Sequence, residues 1–282
     1  MSEDNAAPAG SGPGSNNLVM RVIATLVLAP LTIALAYFGG WMWACLVTLV
    51  SIGLYVEWLM VVGVSRQVWL IASGATALAI MGLCLVLGWI IPFLAIAMLG
   101  IALVTLLAEK GKRGWAATGF LYAAAALAAS VLMRQDSVKG FSALMFVLFL
   151  VWATDIGGYF AGRSIGGPKL WPRVSPKKTW AGALGGLSAS VVVAAGFAAL
   201  EIGRTVPLLL AGGVLSVVSQ CGDLFESAVK RRFGVKDSSR LIPGHGGLMD
   251  RLDGFIAAIV VASIFGFLRR GLDGVGSGLM GW

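Results

Sequence analysis

The chain has 282 residues, a formal net charge of +8 and 58% hydrophobic residues, whereas only 12% of its residues are charged. Soluble domains carry about 25% charged and about 45–50% apolar residues. The composition therefore excludes an ordinary water-soluble domain, and the long apolar runs predict a membrane protein that crosses the bilayer several times.

The N-terminal segment, residues 1–17, differs from the rest of the chain in composition. Its sequence MSEDNAAPAGSGPGSNN is rich in Gly, Pro, Ser and Asn, which predicts a disordered tail. The segment has no basic stretch ahead of an apolar run, so it is not typical of a signal peptide.

The apolar runs that follow predict an all-α, polytopic membrane protein with about nine transmembrane helices, because a helix needs about 20 apolar residues to cross the hydrocarbon. Spans one to five fall in an N-terminal transmembrane region, residues 18–140, and spans six to nine in a C-terminal region, residues 141–282. The long run 68–108 is divided by a predicted turn at Gly88, Trp89 and Pro92. The predicted spans are about 19–38, 41–63, 68–88, 89–108, 115–133, 141–161, 179–200, 206–228 and 252–270.

The lysine and arginine residues predict the orientation of these spans. With nine spans, the loops on one side carry all but five of the 21 Lys and Arg residues. Basic residues favour the cytoplasmic side, so we expect the N-terminus there and the C-terminus on the far side. The five residues on the far side are Arg134, Lys139, Arg204, Arg269 and Arg270.

Polar residues concentrate in the second half of the chain, near the predicted ends of spans. Spans one to five carry almost none, and Glu57 in span two has no role that the sequence explains. The polar stretches are TDIGGYFAGR from Thr154, SPKKTWAG from Ser175, and a third stretch that runs from Gly222 to Asp253. An acid within a span is costly, so each acid in these stretches is a candidate functional residue.

Span seven begins just after the second stretch and is rich in glycine. Gly182, Gly185 and Gly186 stand close together in it. Such clusters are more typical of close helix packing than of a phosphate-binding loop, and we expect packing here.

The third polar stretch begins with charges of both signs on one helix face. Asp223, Ser227 and Lys230 occupy positions i, i+4 and i+7 of span eight. Glu226 lies on nearly the same face. This face therefore presents carboxylates beside a cation.

Further acids and glycines follow near the start of span nine. Asp250 and Asp253 stand three residues apart, where the helix dipole alone would also favour carboxylates. Aspartates with few other ligands suit Mg²⁺, which prefers one or two carboxylates plus substrate phosphates. Gly244, Gly246 and Gly247 let backbone N–H groups approach an anion. Together these residues predict metal-assisted chemistry on a nucleotide or phospholipid phosphate.

His245 is the only histidine of the chain, and two roles are open for it. It is a candidate general base. It is also a candidate for a hydrogen bond that shapes the GHGG turn. Attack by a phosphate oxygen that is already ionised needs no base, which favours the second role.

The pattern S-x-x-K-R-x-x-x-x-K-D, followed by P-x-H-G-G-x-x-D-R-x-D, runs from Ser227 to Asp253. On this pattern the chain resembles the phosphatidate cytidylyltransferases, which are the CDP-diacylglycerol synthases. The resemblance extends over about residues 150–255, through SPKKTW and Gly222-Asp223. Where that family usually has a glutamate after SPKKTW this chain has Ala181, so no role of that glutamate is carried over.

The resemblance implies that phosphatidate and CTP react to give CDP-diacylglycerol and pyrophosphate. It implies Mg²⁺ as cofactor, with K⁺ as a candidate second cation, and Asp223 and Asp250 as the metal ligands. With the resemblance, the catalytic candidates are Asp223, Asp250, Lys230, Lys177 and Asp155. The substrate-binding candidates are Lys178, Ser227, Arg231, Lys236, Asp237, His245, Gly246, Gly247, Arg251 and Asp253.

We therefore expect a phospholipid-biosynthetic enzyme of the inner membrane with its active site facing the cytoplasm. Such a site meets water-soluble CTP on one side and phosphatidate in the bilayer on the other. The resemblance favours a homodimer, and no nucleic-acid partner is expected.

Three alternatives remain from the sequence alone. A transporter would explain charges in spans, although these charges lie at one face and no inverted repeat is visible. An alcohol phosphotransferase that consumes CDP-lipid would need an Ala-Arg that DRLDGFIAA lacks. A lipid kinase would release a nucleoside diphosphate instead of pyrophosphate.

Overall fold

The computed structural model describes residues 13–239 and 246–281, with the side chains of the first helix from Leu26 onward. These residues form helices, two short strands and two single 3₁₀ turns. The longer elements, in chain order, are α1 (Pro13–Phe38), α2 (Gly40–Val62), α3 (Val68–Val86), α4 (Ile90–Leu107), α5 (Arg113–Gln135), α6 (Gly140–Ser164), β1 (Lys169–Trp171), β2 (Ser175–Thr179), α7 (Trp180–Ala199), α8 (Thr205–Arg232), α9 (Met249–Arg270) and α10 (Val275–Met280).

Eight helices within the described ranges, α2 to α9, are long and apolar enough to cross a membrane. In α1 the apolar part with described side chains, Leu26–Phe38, is shorter than a span. The predicted all-α polytopic architecture is confirmed, and the predicted number of nine spans is approximate. The predicted turn near Gly88 is also correct, because Gly88 ends the α3 segment with a φ of 70° that a side chain would disfavour.

The β-hairpin between α6 and α7 was not predicted from the sequence. Strands β1 and β2 are antiparallel, with Lys169 opposite Thr179. Thr179 then caps α7, because its Oγ1 accepts a hydrogen bond of 3.1 Å from the N–H of Gly182. The hairpin thus carries Lys177 and Lys178 directly over the start of α7.

Glycines allow α6 and α7 to pack almost backbone to backbone. A Cβ atom on Gly182 would lie 2.9 Å from the carbonyl oxygen of Gly158, and one on Gly186 would lie 2.6 Å from that of Thr154. Any larger residue would force the helices apart. The prediction of close packing at Gly182, Gly185 and Gly186 is therefore confirmed.

Small residues also bring α8 and α9 together. A Cβ atom on Gly222 would lie 2.8 Å from the carbonyl oxygen of Asp253, and one on Gly254 would lie 2.5 Å from Oγ of Ser219. This contact holds the two acid-bearing helices side by side. Residues that are far apart in the sequence consequently face one another across the α8–α9 interface.

Asp136 joins the α5–α6 turn to α10. Its Oδ1 accepts hydrogen bonds from the N–H groups of Val138 (2.9 Å) and Lys139 (3.0 Å), and its Oδ2 accepts one from the N–H of Ser277 (2.6 Å). Burial alone would raise the pKa of Asp136, but the hydrogen bonds from Lys139, Ser277 and Val138 outweigh burial and lower it. The ionised form is therefore the one that stabilises the fold.

We expect Asp136→Asn to destabilise the protein by about 1–2 kcal/mol at pH 7, because the variant loses a charged acceptor for three N–H groups. A carboxyl with a lowered folded-state pKa stabilises the protein above its unfolded pKa of about 3.9 and loses that effect as the pH falls through the folded value. The difference in unfolding temperature between wild type and variant should therefore shrink below about pH 4. Asp273→Asn, at an exposed acid, is the control, and equal melting of D136N and wild type at pH 7 would contradict this role.

Candidate active site

Several helix ends meet at one end of the bundle, here called the polar end. It consists of the C-terminal ends of α2, α6 and α8, the N-terminal ends of α7 and α9, and the β-hairpin. Residues 233–239 and 246–248, the described parts of the connection between α8 and α9, also lie there. Most of the candidate residues predicted from the sequence belong to these elements.

A cavity of about 500 Å³, here called the polar pocket, opens between α6, α7, α8 and the hairpin. Asp155 enters it from α6, Asp223 from α8, and Lys177 and Lys178 from β2. Four of the predicted candidates, distant in sequence, therefore line one cavity. Tyr159 and Arg163, which belong to the first predicted polar stretch, also line it, and so does Gln220, which the sequence did not single out.

An ion pair between Lys178 and Asp223 crosses the polar pocket. The two side chains are 28% and 33% exposed, so a soluble ligand can reach both. Ser227, one turn further along α8, lies 3.4 Å from Oδ1 of Asp223 and donates a long hydrogen bond to it. The pocket therefore offers a cation and an anion to the same ligand.

Lys230 is the centre of a second charged group, here called the lysine cluster. Its Nζ lies 2.5 Å from Oδ1 of Asp250 and 3.1 Å from Oε1 of Glu226. The Lys230 side chain is only 12% exposed and that of Glu226 only 2%, so each charge depends on the other for compensation. The carboxyl group of Asp253, on α9, lies close enough to that of Glu226 for the two acids to interact directly.

Among the described residues, four donor groups hold Asp250. Besides Lys230, its Oδ2 accepts hydrogen bonds from the N–H of Ser238 (3.0 Å), the Oγ of Ser238 (3.1 Å) and the N–H of Gly247 (3.0 Å). The sequence predicted that the glycines of this loop would bring N–H groups to an anion. The anion that Gly247 binds in the structure is the carboxylate of Asp250.

Asp223 and Asp250, the predicted metal ligands, pair with different lysines in the structure. Asp155 and Asp223 both line the polar pocket, and two carboxylates together with substrate phosphates are what Mg²⁺ prefers. Within residues 13–239 and 246–281, no three His, Cys, Asp or Glu side chains are grouped closely enough to hold a metal by themselves. The chemistry of the pocket therefore fits an ion that substrate phosphates help to bind, and a shared ion at Asp223 and Asp250 stays a prediction.

Glu57, which the sequence left without a role, is 1% exposed and contacts the segment between α8 and α9. Its Oε1 accepts hydrogen bonds from the Oγ of Ser239 (2.6 Å) and the N–H of Leu248 (2.8 Å). Its Oε2 accepts them from the N–H of Met249 (2.7 Å) and the Oγ of Ser238 (3.1 Å). One carboxylate of α2 therefore ties residues 238–239 to Leu248 and Met249 at the start of α9.

Ser238 connects Glu57 to the lysine cluster. Its Oγ lies 3.1 Å from Oε2 of Glu57 and 3.1 Å from Oδ2 of Asp250. The hydroxyl has one proton for two carboxylates, so the two acids are coupled through it. The only advance signal of this arrangement was that Glu57 is an acid inside a predicted span.

The remaining predicted substrate-binding residues lie around these two groups. Arg231 donates a hydrogen bond of 3.2 Å to the carbonyl oxygen of Val235, and Lys236 and Asp237 are exposed on the following turn. Arg251 is exposed on the first turn of α9, on a different cavity from the polar pocket.

The GHGG turn is described in part, since the described residues resume at Gly246, directly after His245. His245 lies outside the residues that the structure describes, so its two possible roles stay open. Gly246 has a φ of 86°, which favours glycine, and a Cβ atom on it would lie 3.2 Å from Oδ2 of Asp250. The turn therefore needs glycine at this position.

Known proteins resemble this chain over most of its length. The cytidylyltransferase family matches residues 19–268. A phosphatidate cytidylyltransferase of Brucella suis is 39% identical over 263 residues, which cover 89% of this chain and 94% of that protein. The Pseudomonas aeruginosa protein of the same name is 36% identical over 86% of this chain and 95% of its own length. That of Bacillus subtilis is 44% identical over 44% of this chain and 47% of its own length.

We expect Glu57→Gln to loosen the polar end, because an amide cannot accept four hydrogen bonds and its NH₂ group faces other donors. The unfolding temperature in detergent should fall by about 5 °C or more. Amide hydrogen exchange at Leu248 and Met249 should accelerate in the variant. Glu109→Gln removes an exposed acid and serves as control; unchanged exchange at Leu248 and Met249 in E57Q would refute the anchoring role.

Proposed function

The chain belongs to the cytidylyltransferase family, and from this premise we propose that it joins CTP to phosphatidate, forming CDP-diacylglycerol and releasing pyrophosphate. It is a nucleotidyltransferase with membrane-spanning helices, and its relatives carry the name phosphatidate cytidylyltransferase. The observation that most supports the full reaction is the polar pocket. There, the Lys178–Asp223 ion pair stands in a cavity of about 500 Å³ at the end of a bundle of apolar helices.

The position of the polar pocket suits one soluble and one lipid substrate. The charged side chains line the end of the bundle, whereas the helix surfaces beside them are apolar and belong in lipid. A phosphate group anchored at the membrane surface and a nucleotide from water can meet there. The excess of Lys and Arg at this end of the spans supports a site on the cytoplasmic side of the inner membrane.

The reaction forms one P–O bond and breaks another. An ionised phosphomonoester oxygen of phosphatidate attacks the α-phosphorus of CTP, and the bond from that phosphorus to the bridging oxygen of the β-phosphate breaks. The electron pair leaves with pyrophosphate. Because the attacking oxygen is already ionised near neutral pH, no general base is needed, which agrees with a turn-shaping role for His245.

The basic residues neutralise phosphate charge and align the reacting groups. Such transfers depend mainly on positioning and electrostatic stabilisation. Lys177 and Lys178 on β2 and Lys230 on α8 supply cations from two sides. Carboxylates compensate Lys178 and Lys230 in the structure, and phosphate oxygens of a substrate can take the place of those carboxylates.

Mg²⁺ would be held by Asp223 and Asp250, with Asp155 and Asp253 as further candidates near the ion and K⁺ as a candidate second cation. A bound Mg²⁺ would neutralise negative charge on the triphosphate. Asp223 and Asp250 would be freed for it as their lysines turn to the phosphates. Glu226 pairs with Lys230, and Asp253 lies next to Glu226.

A homodimer is part of the proposal. Only 11% of the residues of α4 are buried inside the protomer, so the surface of this helix can contact lipid or a second copy of the chain. Crosslinking in native membranes distinguishes the two.

We expect the purified protein to release pyrophosphate only when CTP and phosphatidate are both present, and to lose this activity when EDTA removes divalent cations. The measurement follows pyrophosphate and labelled CDP-lipid in parallel. Formation of a nucleoside diphosphate would indicate a kinase instead, and uptake of solute without turnover of CTP would indicate a transporter.

Asp223→Asn and Asp250→Asn should each lower CDP-lipid formation by about 100-fold or more, because each removes a carboxylate from the reacting region. Both variants should still elute as folded protein in detergent. Glu109→Gln, at an exposed acid of the same end, should keep wild-type activity. Full activity in D223N or D250N would remove that residue from the proposed site.

A further inference from the structure

A second cavity, of about 400 Å³, lies between α1, α2, α5, α6 and α9 and is here called the apolar groove. Its walls are mostly aliphatic and aromatic side chains, such as Leu46 and Val50 of α2 and Phe255 of α9. Arg251 is the one charged residue among the described side chains that line it. The proposed reaction so far gives this groove no role.

The apolar groove and the polar pocket follow the same face of α6. Met145, Leu148 and Trp152 line the groove, whereas Asp155 and Tyr159 line the pocket. These residues are spaced by three and four positions, so they form one stripe along the helix. The cavity lining changes from apolar to charged between Trp152 and Asp155, as the structure of an amphiphilic ligand would require.

The length of the groove matches one leaflet of a membrane. On α2 it is lined from Trp43 to Leu54, which at about 1.5 Å per residue is about 16 Å. The hydrocarbon core of a bilayer is about 30 Å thick. A groove that starts at the polar end and runs about half that distance fits one acyl chain of a lipid in the adjacent leaflet.

Two polar groups stand where the polar part of such a lipid would lie. Arg251 is on the first turn of α9, next to Asp250, and can face a phosphate. Ser51 is fully buried, lines the groove, and its Oγ has no hydrogen-bond partner among the described residues. Buried hydroxyls normally have a partner, and the ester carbonyl of a lipid would supply an acceptor at that depth.

We propose that the apolar groove binds one acyl chain of the phospholipid substrate, with its phosphate directed toward Arg251 and the polar pocket. This inference rests on the proposed function, because it assigns a binding site to the lipid of that reaction. Lipid tails are as apolar as the groove wall, so the groove contributes by shape. The groove selects an acyl chain of matching shape and thereby places the lipid phosphate at the polar pocket.

The first test narrows the groove and compares phosphatidates of different chain length. Ala29→Phe on α1 and Val50→Phe on α2 add bulk to the groove, whereas Ala34→Phe adds the same bulk at an exposed position of α1 that does not line it. The substrates are dioleoyl and dihexanoyl phosphatidate in the same detergent, with CTP as the second substrate.

We expect A29F and V50F to lower kcat/KM for dioleoyl phosphatidate by about tenfold relative to dihexanoyl phosphatidate, with KM for CTP unchanged. A34F should keep the wild-type ratio between the two lipids. An equal loss of kcat/KM with both lipids, or no loss with either, would refute acyl-chain binding in the groove while leaving the proposed function intact. If the wild type forms no CDP-lipid from any phosphatidate, the proposed function itself fails.

A second test uses the wild-type protein and does not depend on how the variants fold. Phosphatidate with a diazirine in its acyl chain is photolysed in the presence of the protein, and labelled residues are identified by mass spectrometry. Labels on Leu46, Val50 or Ser51, which compete with unlabelled dioleoyl phosphatidate, support the groove. Labels confined to outward residues such as Leu49, which is 69% exposed, would overturn it.

Discussion

The polar end depends on charge compensation within a mostly apolar protein. Lys178 pairs with Asp223, and Lys230 pairs with Asp250 and Glu226. Glu57 pairs with no lysine in the part of the chain that the structure describes, and two serine hydroxyls and two backbone N–H groups compensate it. An acid without such donors would be too costly at the end of a membrane span, so these contacts decide where α2, α8 and α9 can sit relative to one another.

Close helix contacts at glycines, together with the β-hairpin, place these charged side chains around a pocket. Because α6 and α7 approach almost backbone to backbone at Gly158 and Gly182, Asp155 on α6 lies opposite the lysines that β2 carries. The contact of Gly222 with the backbone of Asp253 aligns α8 with α9 in the same way. Reactive groups from four elements thereby line adjoining sites.

Much of this arrangement could be predicted from local sequence, and the rest could not for physical reasons. Hydropathy marks the spans, because about 20 apolar residues are needed in hydrocarbon, and helical spacing puts Asp223, Ser227 and Lys230 on one face. The pairing of Lys178 with Asp223 depends on how a hairpin packs on a distant helix, which no spacing reveals. Short strands in a polar stretch also leave little hydrophobic pattern, so the hairpin was missed.

The contact of Glu57 with Ser238 joins residues that are 181 positions apart in the chain. At about 5–20 residues per second, the ribosome needs roughly 10 to 40 seconds to make the intervening segment. For that period Glu57 lies in a partly assembled bundle, in contact with water or with the insertion machinery. The polar end can therefore close only after the eighth helix has been threaded and the ninth has begun, so it is completed late in biogenesis.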